Sequence, residues 1–201
     1  VFGDWSSDVC SSDLILLSHY SMGTMPKIPH FVSLKHDEMV NGPKYSVQLI
    51  HTPGHTKGHA SYYVPELKAL FCGDLMDPFF DYKPPINLAT SDYDAFCRSI
   101  SILVDLEVEI FCPAHAAKIY FGQVTYRDIC VGVLKQLEFA KTRTIKLLSQ
   151  PGGMRLKNFR GKYPSTTWQI LEHVPLAFAV IKSLEKEGKI IRNGKLFEMK
   201  L

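Results

Sequence analysis

Three histidines, His51, His55 and His59, stand four residues apart and are the first side chains whose types and spacing could do chemistry. On a helix this spacing would place all three imidazoles on one face. Pro53 and Gly54 interrupt the series and are incompatible with a helix, so we predict a loop. Loops held by a rigid scaffold often carry binding and catalytic side chains. The segment is therefore a candidate ligand-binding loop.

Two further polar side chains follow strand-like segments, Asp74 after a glycine and His115 after a proline and an alanine. If these segments pair in one sheet, its rim presents His55, Asp74 and His115 together. Neutral imidazole and carboxylate suit zinc, and iron and manganese accept ligands of the same kinds. We expect His51 and His59 to support the site by hydrogen bonding near the ligands.

The elements that must position these residues can be read from periodicity. Alternating and short apolar runs predict strands at 45–50, 60–64, 69–72 and 108–112. Ser91 is a candidate N-cap for a helix that continues past residue 100, and a longer helix is predicted at 124–148. Two short helices at 166–172 and 176–187 and a hairpin at 190–197 follow, the hairpin turning at Asn193 and Gly194.

The chain divides in composition near residue 151, where a Pro-Gly-Gly sequence ends the long predicted helix. Residues 1–140 carry 10 basic and 16 acidic side chains, and residues 141–201 carry 13 basic and 4 acidic ones. We therefore predict a domain at 14–150 and a smaller basic module at 151–201. Helices followed by a hairpin are typical of a winged-helix module.

Residues 1–13 are rich in Ser and Asp, have no usable periodicity and do not resemble a secretory signal. The stretch 6–14 resembles translated sequencing-adapter readthrough. We expect residues 1–13 to be a non-native or disordered tail that contributes nothing to the core.

Composition narrows the class of protein. The 201 residues are 46% hydrophobic and 21% charged, as in globular proteins. No apolar stretch approaches the roughly 18 residues of a membrane span, so no membrane partner is expected. The five cysteines are odd in number and form no C-x-x-C pair. We therefore expect no disulfide framework and a reducing, cytoplasmic location.

Three motifs together resemble those of a known family. H-T-P-G-H-T-K-G-H at 51–59, F-C-G-D at 71–74 and C-P-A-H at 112–115 are similar to downstream metal motifs of the metallo-β-lactamase superfamily. The resemblance implies an α/β fold, an αββα sandwich here incomplete, with one or two zinc ions. His55 would bind the first metal, Asp74 would bridge both, and His115 would bind the second. Residues 155–201 resemble the winged-helix tail of some members.

The chain departs from the family at its first motif, because no H-x-H-x-D-H sequence occurs. Residues 15–19 resemble the strand that enters that motif, but the ligands that should follow are missing. The first metal would keep one of its three protein ligands, and no residue is assigned as the catalytic base. We therefore expect a fragment whose N-terminal part was lost and which is inactive alone.

Two functions are consistent with these residues. The first is a metallo-hydrolase that uses a metal-bound hydroxide on an ester, thioester, amide or phosphodiester, with loop 76–88 as a candidate substrate wall. The alternative is a nucleic-acid-binding or interaction module acting through the basic tail, with a nuclease as the parent protein. Against the alternative, Lys182 and Lys186 are balanced by Glu185 and Glu187 in the predicted helix.

Overall fold

The computed structural model describes residues 34–76, 82, 84–86, 90–115, 118–159 and 173–200. The expectations for the tail 1–13, for the entering strand 15–19 and for the helix 166–172 fall outside these ranges. Most of loop 76–88 also lies outside them, so its proposed role as a substrate wall stays a prediction.

A six-stranded sheet forms the larger part of the described structure, with its strands in chain order from one edge to the other. Neighbouring strands are antiparallel except β4 and β5, which are parallel. The strands are β1 Met39–Asn41, β2 Ser46–His51, β3 Ala60–Val64, β4 Ala69–Gly73, β5 Ile110–Pro113 and β6 Tyr120–Phe121. The predicted strands therefore occur within one or two residues of their expected bounds.

Two helices pack on one face of this sheet, α1 at Tyr93–Leu103 and α2 at Gln123–Leu148. The first lies within the crossover that joins the parallel strands β4 and β5, as a parallel connection requires. The second buries an apolar stripe against the same core, and its Tyr126 hydroxyl donates to the Leu103 carbonyl at 2.6 Å. The core includes Leu70, Phe96, Phe111 and Ile129.

The N-cap of α1 is Asp92 and not the predicted Ser91. The Asp92 carboxylate accepts a hydrogen bond from the Ala95 amide at 2.9 Å. The Ser91 hydroxyl instead donates to the His55 carbonyl at 2.8 Å. Both residue types are good caps, and the position of the histidine loop decides which one is used.

The C-terminal part contains β7 Met154–Arg155, a 3-10 turn at Leu156–Phe159, α3 His173–Lys186, β8 Ile190–Asn193 and β9 Leu196–Met199. The three strands form a second sheet in the order β7-β9-β8. Gly194 takes a positive φ of 62° in the predicted hairpin turn. Buried residues of α3, including Val180 and Leu184, belong to the same apolar cluster as α1 and α2. The winged-helix assignment and the boundary at residue 151 stay predictions.

The opposite face of the six-stranded sheet is lined by apolar side chains. Tyr62, Phe71 and Cys112 lie side by side across β3, β4 and β5. Phe71 is 47% exposed. These side chains and Ile119 border a groove of about 510 Å³. Within the described ranges, no helix combines the length and the apolar character needed to span a membrane.

Candidate metal centre

The sheet brings His55, Asp74 and His115 together at one end. His55 lies in the loop between β2 and β3, Asp74 directly follows β4, and His115 lies two residues after the end of the parallel strand β5. The His55 Nε2 atom is 3.6 Å from Asp74 Oδ2, and the His115 Nε2 atom is 2.7 Å from Asp74 Oδ1. Asp74 therefore stands between two imidazoles, with one carboxylate oxygen toward each.

A backbone carbonyl on the far side of the ring from Asp74 fixes the orientation of the His55 imidazole. Its Nδ1 lies 2.6 Å from the Pro85 carbonyl oxygen, an acceptor only, so Nδ1 carries the proton and donates. In this tautomer Nε2 is the ring nitrogen left for a ligand, and it faces Asp74 Oδ2 at 3.6 Å. A cation bound between Nε2 and Oδ2 would be coordinated by both atoms. Such a carbonyl partner is typical of metal-ligating histidines.

Asp74 has an oxygen whose surroundings also suit a cation. Its Oδ1 atom is buried and makes no hydrogen bond among the described residues, although His115 Nε2 lies 2.7 Å away. Buried carboxylate oxygens are normally paired. The His115 side chain is 69% exposed, so this part of the centre is open to solvent.

The three side chains do not surround a single point. Within the part of the chain that the structure describes, no group of three or more His, Cys, Asp or Glu side chains is arranged to hold one metal ion. The arrangement is instead two pairs, His55 with Asp74 and His115 with Asp74, which share the carboxylate. Each pair offers two ligands.

His59 lies behind the centre and is 8% exposed. Its Nδ1 atom is 3.0 Å from the Thr52 carbonyl oxygen and 2.9 Å from the Thr52 hydroxyl, which is 2.9 Å from the Ser61 hydroxyl. Burial, followed by the neighbouring His55, lowers the pKa of His59 to about 4. The ring is therefore neutral at neutral pH and does not compete with a cation for Asp74.

The Nε2 atom of His59 points at the backbone that leads into Asp74. It is buried and has no hydrogen-bond partner in the described part of the chain. A Cβ atom on Gly73 would lie 2.6 Å from this nitrogen, and Gly73 has a φ of 56°. Only glycine fits both the space and the conformation. The imidazole and Gly73 together set the path of the chain at the end of β4.

His51 is turned to the other side of the loop. Its Nε2–H donates to the Lys57 carbonyl at 3.0 Å, and its backbone N–H donates to His36 Nδ1 at 3.1 Å. The first contact closes the histidine loop on itself, and the second joins the end of β2 to the segment before β1. The supporting roles assigned to His51 and His59 stay predictions, with hydrogen bonds of the expected kind in place.

The histidine loop is docked on the N-terminal part of α1. The carbonyls of Pro53, Gly54 and His55 accept hydrogen bonds from the Ser99 hydroxyl at 2.7 Å, the Asp92 amide at 2.9 Å and the Ser91 hydroxyl at 2.8 Å. A Cβ atom on Gly54 would lie 2.4 Å from the backbone of Phe96. This close approach explains the glycine of the T-P-G-H-T sequence.

Sequence reasoning missed several residues of this centre. Thr52 could have been found as a polar residue placed directly before the loop. Pro85, Ser91 and Asp92 are separated from His55 by 30 residues or more and act through backbone contacts or a cap. No sequence pattern marks such contacts, because they depend on where the crossover returns to the sheet.

The sequence is similar to a known family and to two curated proteins. Residues 16–115 match the model of the metallo-beta-lactamase superfamily. The chain is 31% identical over 81 residues to the probable metallo-hydrolase YybB of Bacillus subtilis (strain 168), covering 40% of this chain and 37% of that protein. It is 35% identical over 77 residues to a hydroxyacylglutathione hydrolase of Synechococcus sp. (strain JA-3-3Ab), covering 34% of this chain and 31% of that protein.

The fold is also similar to that of solved structures. A metallo-beta-lactamase family protein of Thermus thermophilus superposes with a TM-score of 0.64 at 19% identity. The match covers 94% of this chain and 64% of the other. The chain thus spans about a third of the length of the curated relatives it matches, and less than two thirds of this structure.

Proposed function

Because the chain belongs to the metallo-beta-lactamase superfamily through residues 16–115, we propose that it is part of a metal-dependent hydrolase whose metal is held by His55, Asp74 and His115. The observation that carries the proposal is the Asp74 carboxylate, which presents one oxygen to each of two imidazole nitrogens. A carboxylate in this position can bridge two ions, each with one histidine.

The donor set fits zinc. Imidazole nitrogen and carboxylate oxygen are common zinc ligands, and the fixed tautomer of His55 presents the lone pair that coordination needs. Bound zinc would supply a hydroxide nucleophile at neutral pH and polarise the substrate oxygen. The residues around the ligands orient them. The Pro85 carbonyl fixes the His55 ring, and Gly73 with His59 fixes the backbone that leads into Asp74.

The substrate to assay first is chosen from the relatives and not from the geometry. One relative is named a hydroxyacylglutathione hydrolase, so an acyl thioester is the first substrate to assay. Esters and phosphodiesters are further substrate classes that the same metal-dependent hydrolysis could cleave.

The number of ligands predicts weak catalysis by this chain alone. A catalytic zinc site usually has three protein ligands and one open position. The described residues give two per metal, and the sequence contains no H-x-H-x-D-H motif. We therefore propose that the chain binds metal and needs further ligands for efficient turnover.

Metal analysis tests the proposal directly. The full chain is purified, incubated with excess zinc, separated from free metal and analysed for bound zinc, beside His55→Ala, Asp74→Asn and the control Asp105→Asn. Asp105 is an exposed carboxylate between α1 and β5, outside the centre. We expect zinc in the parent chain and the control, and loss of zinc in the other two. Equal zinc in all four proteins, or none in the parent, would reject the assignment.

The nucleic-acid alternative stays a prediction. Three of the basic side chains in the basic segment 141–201, Lys141, Lys186 and Lys189, are already paired with carboxylates. Their charge is partly neutralised within the protein, which weakens a surface for phosphates. Salt-dependent binding of an oligonucleotide would support the nucleic-acid-binding alternative.

A further inference from the structure

The C-terminal helix α3 touches the same part of α1 that holds the histidine loop. The Ser183 hydroxyl donates to Asp94 Oδ1 at 2.5 Å. The Lys186 ammonium lies 3.0 Å from Asp92 Oδ2 and 3.9 Å from Asp94 Oδ2. Ser183 is buried. These contacts fasten α3 to the first turn of α1, at a separation of about 90 residues in sequence.

Asp92 links the Lys186 contact to the histidine loop, whereas the Ser183 contact is made to Asp94 in the same part of α1. One carboxylate oxygen accepts the Ala95 amide and the other pairs with Lys186, while its backbone N–H donates to the Gly54 carbonyl. Burial would raise the pKa of Asp92, but the Ala95 amide and Lys186 outweigh burial and lower it. A single residue thus joins α3 to the residue before His55.

We infer that Ser183 and Lys186 are positioning residues for the histidine loop, so that the C-terminal helix sets the geometry of the candidate metal centre without touching it. The inference rests on the proposed function, because the metal is the ligand whose binding is affected. Neither side chain contacts His55, Asp74 or His115 in the described structure. Both act through the first turn of α1.

The physical reason is that the three loop carbonyls need a fixed partner. Two of their donors, Ser91 and Asp92, directly precede α1, and the third, Ser99, lies in its second turn. Helix ends fray unless they are tied down. The contacts with α3 hold this end in place, so their loss lets the loop and His55 sample positions away from Asp74. A metal site loses affinity when its ligands must be ordered on binding.

The test compares three variants of the full chain, Ser183→Ala, Lys186→Met and Lys186→Arg, with the control Lys195→Met. Lys195 is an exposed lysine in the turn between β8 and β9, so the control removes the same charge far from α1. Zinc affinity is measured by competition with a chromophoric chelator, and the visible spectrum of the cobalt-loaded chain reports ligand geometry. Hydrogen exchange of the Gly54 amide, which donates to the Thr56 carbonyl at 3.0 Å, is measured without metal.

We expect Lys186→Met to weaken zinc binding about 3-fold, as suits a largely exposed ion pair. Ser183→Ala should weaken it about 5-fold, because its hydrogen bond is buried. Both should speed exchange of the Gly54 amide by similar factors and alter the cobalt spectrum. Lys186→Arg should restore parent values, and Lys195→Met should not depart from them.

The two hypotheses fail separately. If the parent chain binds neither zinc nor cobalt, the proposed function is rejected, and the exchange of the Gly54 amide still decides the inference. If the parent binds zinc and the variants match it in affinity and in exchange, the positioning role is wrong. A purely structural role would lower the stability of the variants but leave affinity and cobalt spectrum unchanged.

Discussion

Acidification should destabilise this protein through His59 before its carboxylates are protonated. The ring is buried among Thr52, Ser61 and the backbone at Gly73, and the described residues place no carboxylate at hydrogen-bond distance from it. Burial, with a smaller contribution from His55, lowers its pKa from 6.5 to about 4. The unfolded chain therefore binds a proton between these pH values that the folded chain does not bind.

The sign and size follow from proton linkage. Because the folded chain keeps His59 neutral, the free energy of unfolding has its full value above pH 6.5 and decreases progressively as the pH falls toward 4. Each unit of pKa difference corresponds to about 1.36 kcal/mol. Between pH 7.5 and pH 4.5, His59 alone should then remove about 2.5 kcal/mol from the free energy of unfolding.

Urea unfolding in the presence of a chelator measures this loss for the parent chain and for His59→Asn. Asparagine keeps an N–H donor near the Thr52 carbonyl but cannot be protonated in this range. The variant should be less stable at pH 7.5, yet it should lose about 2.5 kcal/mol less than the parent on acidification. His36→Asn, which removes an exposed imidazole, serves as the control. Parallel pH dependences in the parent and His59→Asn would refute the reasoning, since carboxylate titration is common to both.

Two substitutions test the packing that supports the centre. Gly54→Ala should cost roughly 2 kcal/mol or more and weaken zinc binding, because its Cβ would lie 2.4 Å from the backbone of Phe96. Gly188→Ala is the matched control, because Gly188 has a positive φ but no described atom within 4 Å of an added Cβ. An equal loss of stability in both variants, measured by thermal unfolding, would contradict the steric argument. Tyr126→Phe should cost about 1 kcal/mol in urea unfolding, because it removes a buried hydrogen bond to the Leu103 carbonyl. An unchanged midpoint would show that this hydroxyl contributes nothing to stability.

The strands and the long helix were predictable because their signals are local. The strand predicted at 60–64 has the observed bounds of β3, and α2 begins one residue before the predicted position. The meeting of Asp74 with two histidines was also expected, since each follows a strand. The tautomer of His55 was not predictable, because it depends on the Pro85 carbonyl, which the chain brings back across the crossover. The choice of Asp92 over Ser91 as the cap has the same origin.

The parallel pairing of β4 and β5 has a consequence for how such a centre can change over evolution. Asp74 and His115 leave neighbouring strands at the same edge, and the Ala114 N–H donates to the Gly73 carbonyl just before they do so. Their separation is therefore set by the ladder between the strands and not by the connection from β4 to β5. Insertions and deletions in that connection leave the carboxylate and the imidazole in register. If loop 76–88 borders the substrate as predicted, its length can change while the ligand pair stays the same.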